Sequence, residues 1–180
     1  MQTLGGRRPK SLALFNFSDC ERAVRGDALH DLKMRVAARL AAGNRGDEPE
    51  LEMYPHDLKS PYRDRQSNAA AQRYAALGIS REDNRAREQA IEENWNCFGS
   101  TAALFCYIDR DMGLPQWSDI GMYLQTIMLL LRAEGLHSCP QLAWSVYRRS
   151  VAQVVSPPRV DAVLWHVNRV RGFYRAVRSD

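Results

Sequence analysis

AALFCYIDRDMGLPQWSDIGMYLQTIMLLLRAEGLHSCP, Ala102 to Pro140, is the stretch on which the fold turns. Ala102 to Ile108 is an unbroken apolar run stopped by Asp109, Asp111, Gly113 and Pro115, the pattern of a short strand buried on both faces. Ser118 or Asp119 is placed to cap the helix that follows. In it Ile120, Leu124, Ile127, Met128 and Leu131 form one stripe, while Met122, Tyr123 and Leu130 fill the other sides. A helix apolar all round belongs in a core. Gly121 costs it about 1 kcal/mol relative to alanine and suggests a close backbone approach. Gly135 ends the helix, and Cys139-Pro140 is extended, because the residue before a proline avoids helical geometry.

Upstream, Leu29, Leu32, Val36 and Leu40 recur every three or four residues and predict an amphipathic helix that Gly43 ends, after a strand-like Leu12 to Phe17. Asn44 to Asp64, with Gly46, Pro49, Pro55 and Pro61, reads as a long irregular connection. A short helix over Asn68 to Leu77 ends at Gly78, and Ser80 with Asp83 resembles a capping box opening a polar helix to about Trp95. Downstream, Leu142, Val146, Ser150 and Val154 trace another helix. Beyond Pro157 and Pro158, the positions Val160, Val163, Leu164, Val167, Val170, Phe173, Tyr174 and Val177 keep the same spacing, with Arg159, Arg169, Arg171, Arg175 and Arg178 mostly off the stripe. That spacing predicts a basic amphipathic helix. It suits an anionic surface or a partner, and more simply a helix docked on its own domain with a solvated Arg face.

With 180 residues the chain has length for one domain with a proper core, and 45% hydrophobic against 26% charged residues excludes a largely disordered or fibrous chain. No apolar run is long enough to span a membrane. Lys plus Arg is 25 and Asp plus Glu 21, so the net charge of +4 does not by itself call for nucleic acid. Cys20, Cys97, Cys106 and Cys139 are scattered, without zinc spacing, and Cys97 and Cys106 sit among apolar neighbours as reduced thiols do. The first ten residues make a poor signal peptide, so a cytoplasmic location is expected. Phosphate loops, dinucleotide glycine motifs, nucleophile elbows and zinc-protease motifs are all missing, and His30, His56, His137 and His166 stand apart. With no evident acid, base, nucleophile or metal ligand set, enzymatic chemistry here would fall to a cofactor.

Asn94 to Val155 resembles the middle of FMN-dependent nitroreductases. The matching positions are Asn94 and Phe98 before the strand, Trp117, Asp119 and Gly121 opening the long helix, Gln125 and Met128 inside it, Gly135-Leu136 closing it, and Cys139-Pro140-Gln141 beyond. YPHDLKSPYRDRQ (Tyr54 to Gln66) and YAALGISRED (Tyr74 to Asp83) are similar to an arm found in one branch of that family. The resemblance implies an α+β fold, a central sheet packed by helices around a long buried helix, in an intertwined homodimer with FMN at the interface. It implies hydride transfer from NAD(P)H through the flavin to a nitroaromatic, quinone or similar small acceptor, with no protein nucleophile. Cys139, Pro140, Gln141 and Leu142 would lie along the flavin ring, and Phe98, Trp144, Tyr62 and Arg63 would line the acceptor pocket.

The domain limits expected are an atypical segment over 1–26, the nitroreductase-like domain over 27–155 and a basic tail over 156–180. The family's Arg-Ser-x-Arg opening, its Ser/Asn-x-Gln-Pro-Trp segment and its Gly-rich closing strand have no counterpart in this reading. That leaves an alternative, a truncated flavin-free remnant acting only as a dimeric binding or structural protein.

Overall fold

The computed structural model describes residues 21–48, 53–108, 112–156 and 165–170. Four strands, β1 (Glu21–Arg25), β2 (Ala102–Cys106), β3 (His137–Gln141) and β4 (Trp165–Val170), form one sheet in the order β1-β2-β4-β3, every neighbouring pair antiparallel. Among the described residues five α-helices accompany it: α1 (Asp27–Ala41), α2 (Tyr62–Ala76), α3 (Asn84–Glu92), α4 (Leu114–Ala133) and α5 (Arg148–Val155).

The run Ala102 to Ile108 behaves as its composition demands. Alternate side chains of a strand point to opposite faces. Ala103, Phe105 and Tyr107 enter one core with Leu29, Leu32 and Val36 of α1, Trp144 and Tyr147, and Val151 and Val155 of α5. Cys106 and Ile108 enter a second core with Ile120 and Leu124 of α4. The sheet is thus covered on both faces, which is why a continuous apolar run could be read as a strand.

Several expectations are corrected. The long helix begins at Leu114, not after Ser118: Gly113 is its N-cap, Pro115 sits in the first turn where no N–H is needed, and Gln116 Oε1 accepts from the Gly113 N–H at 3.0 Å. The first arm helix starts at Tyr62 rather than Asn68, directly after Pro61, with Ser60 Oγ donating to Asp64 Oδ2 at 2.6 Å across the opening turn. Asp83, not Ser80, caps α3, its Oδ1 accepting from Ala86 N–H at 2.9 Å. The helix traced from Leu142 is broken: a 3-10 turn, Ala143–Tyr147, precedes α5, and Tyr147 leaves helical geometry at φ −112°, ψ 38°.

The largest correction concerns the tail. Trp165–Val170 is a strand between β2 and β3, where a helix was expected, because its backbone completes two hydrogen-bonded ladders. β1 and β4 lie on either side of the 27–155 interval, and both belong to its sheet. The rest of the tail pattern, the strand expected at Leu12 to Phe17 and Cys20 lie outside the described residues.

α4 buries Ile120 and Leu124 but leaves Met122, Leu129 and Leu130 exposed in the single chain, so one face is core and the other open. Tyr123 Oη donates to Glu21 Oε2 at 2.6 Å and ties α4 to β1. α2 and α3 bury no residue and form an arm. Within it Arg73 Nη2 donates to Ala90 O at 2.7 Å, and the Arg87 guanidinium lies 4.6 Å from the Tyr74 ring centroid.

Candidate functional site

The candidate site is built where β3, the turn before β2 and the arm meet. β3 pairs with β4 along one side and ends the order of the sheet, so among the described strands its other side is an open backbone edge. Pro140 stands exposed in the middle of that edge, Cys139 and Leu142 are half-buried, and Gln141 is buried. A proline carries no N–H and is tolerated where an edge need not be paired.

Cys97, Phe98 and Gly99 form a 3-10 turn with φ of 52°, 49° and 72°, three successive residues in the left-handed region. For the two non-glycine residues this costs about 1–2 kcal/mol each, offset by a dense local network. Phe98 N donates to Glu93 O at 2.9 Å, Ser100 N to Cys97 O at 2.9 Å, and Ser100 Oγ to Ala102 O at 2.7 Å. Lys33 Nζ reaches over from α1 to Ser100 O at 2.9 Å. Strained backbone of this kind is characteristic of binding sites. Gln141 Nε2 donates to Asn94 Oδ1 at 2.9 Å and Asn94 O at 3.3 Å, which fastens the strand to the turn carrying Phe98.

Two arginines bring positive charge to β3. Burial raises the Cys139 thiol pKa, and the Arg73 guanidinium of the arm opposes that rise. Arg132, at the end of α4, lies 3.3 Å from His137 Nε2. Neither arginine was singled out from the sequence; for Arg73 nothing local shows that the arm returns to this strand. Cys97 is wholly buried and its thiol is pushed up to about 12, chiefly by desolvation, so it is a packing residue rather than a nucleophile. Cys97, Cys106 and Cys139 are all free thiols.

The structure therefore joins Cys139, Pro140, Gln141, Leu142 and half-buried Phe98 in one region. Trp144 does not line it: its side chain is fully buried, edge-on to Trp95 at 5.7 Å and to Phe105 at 5.9 Å. That corrects its place in the pocket, since burial against two aromatic rings is a core role. Tyr62 and Arg63 are exposed on the first turn of α2, open to solvent in the single chain. A concavity of about 470 Å³ lies between α1 and α5, lined by Arg35, Arg39, Asp47, Arg149, Ser150 and Gln153. It is an internally paired network, Arg39 with Asp47 at 2.7 Å and Arg35 with Gln153 at 3.2 Å. Among the described residues no group of three His, Cys, Asp or Glu could hold a metal ion, and no helix is long and apolar enough to cross a membrane.

The donor set at β3 fits the ring end of a flavin: an extended backbone edge free of a neighbouring strand, a proline that keeps it open, an aromatic residue on an adjoining turn, and cations close by. Fold and site together make an α+β domain with an open strand edge beside a left-handed turn. No protein-family model matches the chain. Among curated proteins it is 29% identical over 123 residues to the nitrobenzene nitroreductase of Ectopseudomonas oleovorans, covering 68% of this chain and 54% of that protein. It is 33% identical over 98 residues to the 4-nitrobenzoate reductase of Pseudomonas putida, covering 54% of this chain and 43% of that protein. The crystal structure of the FMN and NADPH-dependent nitroreductase NfnB of Sphigopyxis sp. strain HMH superposes with a TM-score of 0.81 at 35% identity, over 87% of this chain and 70% of that one. The chain belongs to the nitroreductase family. It spans about half the length of the curated relatives it matches.

Proposed function

We propose that the chain is an FMN-dependent oxidoreductase that passes hydride from NAD(P)H by way of the flavin to a nitroaromatic, quinone or similar small acceptor, as a homodimer in the reducing cytoplasm. The observation that carries this reading is the open edge of β3 at Cys139 to Leu142, tied to the Phe98 turn and flanked by Arg73 and Arg132. Named nitroreductases among the relatives favour it over a flavin-free remnant. FMN, when bound, supplies a carrier that takes hydride from a nicotinamide and gives it to an acceptor.

The chain's own part is binding and electrostatics. Backbone groups of Cys139, Pro140, Gln141 and Leu142 would hold the polar edge of the ring, and the two arginines would stabilise the negative charge that reduction places there. Phe98 would wall the ring on the side of the turn. Met122, Leu129 and Leu130 leave an apolar face on α4, which a second copy would cover. In such a dimer the exposed arm, with Tyr62 and Arg63, is free to approach the acceptor.

Purified protein supplied with FMN should oxidise NADH or NADPH only when a nitroaromatic is present. FMN should also slow alkylation of half-buried Cys139 while leaving buried Cys97 unmodified throughout. Alkylation of Cys139 at the same rate with and without FMN, in a protein that turns over nothing, would rule the reading out.

A further inference from the structure

Gln141 belongs to the strand that would face the flavin, yet its side chain is turned inward. The residue is 6% exposed, and its amide donates both hydrogen bonds described above to Asn94. Asn94 is itself anchored on both sides, its backbone N–H donating to Ile91 O at 3.1 Å. Its Nδ2 donates to Ile91 O at 2.7 Å, in the last turn of α3, and its carbonyl accepts from Cys97 N–H at 3.1 Å, the residue that opens the left-handed turn. One amide pair therefore gathers three pieces: the ring-edge strand, the end of the arm helix and the turn carrying Phe98. Among the described strands the backbone ladder of β3 reaches β4 alone, on the side away from the open edge. The Gln141–Asn94 pair supplies a lateral tie that the ladder does not.

We propose that Gln141 is a positioning residue: acting through Asn94, it sets the open edge of β3 against the Phe98 turn and the arm, so that recognition of the flavin ring and the setting of the arm are coupled. The inference rests on the FMN reading above. Backbone donors on an open edge contribute affinity only to the extent that they are held before the ligand arrives; a loose edge must be ordered at the moment of binding. An Asn–Gln pair suits the task better than two apolar residues, since its bonds fix register as well as contact. Leaving the buried Gln141 amide without its partner would loosen the edge in the free chain, and ordering it again on binding corresponds to roughly tenfold in affinity.

The test uses the full chain and FMN fluorescence quenching, with circular dichroism to establish folding. Gln141→Leu and Asn94→Ala should each weaken FMN binding by roughly tenfold, and the double variant should be no worse than either single one, as coupled residues require. Asn94→Asp keeps both oxygens that accept from Gln141 but gives up the Nδ2 donor to Ile91 O, so it should bind more tightly than Asn94→Ala and less tightly than wild type. Riboflavin, which lacks the phosphate, should lose as much affinity as FMN, because the tie acts at the ring. Single variants that bind FMN within about twofold of wild type, or effects that simply add in the double variant, overturn the proposal. So does an Asn94→Asp variant as weak as Asn94→Ala. If Gln141→Leu fails to fold, the Asn94→Ala and Asn94→Asp comparison decides the matter alone. Wild-type protein that ignores FMN overturns the FMN reading and this inference together, whereas wild type that binds while the variants bind equally well overturns this inference only.

Discussion

Asp47 holds an irregular segment onto two helices. Its carboxylate accepts from Arg39 of α1 at 2.7 Å and from the Arg149 N–H of α5 at 2.9 Å, with its side chain 3% exposed. Its own N–H donates to Val146 O at 2.8 Å. The neighbouring Gly46, at φ +137°, presses its backbone against Val146 so closely that a Cβ would collide with that side chain. Burial alone would raise the Asp47 pKa; the Arg39 hydrogen bond, the Arg149 N–H and the two guanidinium charges outweigh it, so the group lies below its ordinary 3.8. A carboxylate depressed in the fold stabilises above its unfolded pKa and loses that contribution as pH falls through the folded value. Asp47→Asn should therefore cost about 1 kcal/mol near neutrality, read from urea midpoints, with the gap to wild type closing below about pH 4. A gap unchanged at acid pH would mean that the charge is not what holds the segment.

Single residues also show the limits of the sequence. The Cys139-Pro140 step was legible because proline restricts its predecessor wherever it stands. Trp144 was misplaced because a large aromatic close to a candidate site gives no sign of which way its ring turns; the Trp95 and Phe105 rings that enclose it lie 49 and 39 positions upstream.

At the level of elements, local signals fared well where the local chain decides the outcome. The α1 stripe of Leu29, Leu32 and Val36 is buried as spaced, and α4 stops before Gly135, which takes φ +71°. α3 buries no residue, so its cap counts for more than it would in a packed helix. Asp83→Ala should cost the helix about 1 kcal/mol and speed amide exchange through residues 84–92 while the sheet stays protected. Equal exchange in the variant would show that the Arg73 bond to Ala90, rather than the cap, sustains the arm. The tail is the opposite case. Its three-four spacing was real, but Trp165–Val170 gains its ladder bonds from β2 and β3, about 60 and about 30 residues away in sequence. Periodicity within a segment carries no record of partners outside it.

For the molecule as a whole, the two-faced core around β2 and the α+β arrangement were readable from a single apolar run and the helix after it. Half of the candidate site was readable too. Its strand announced itself by Cys139-Pro140-Gln141, but the Gln141–Asn94 tie and the return of Arg73 toward β3 come from tertiary folding, across 47 and 66 positions. The long helix read as buried leaves Met122, Leu129 and Leu130 exposed. A thermal-unfolding titration of the chain with FMN, monitored by the visible flavin spectrum, tests the flavin reading. Ligand that binds only the folded chain stabilises it by about 2.7 kcal/mol at a hundred times its dissociation constant. The account predicts a yellow protein whose melting temperature climbs by several degrees as FMN is added. A colourless protein whose melting temperature does not move with FMN would contradict it.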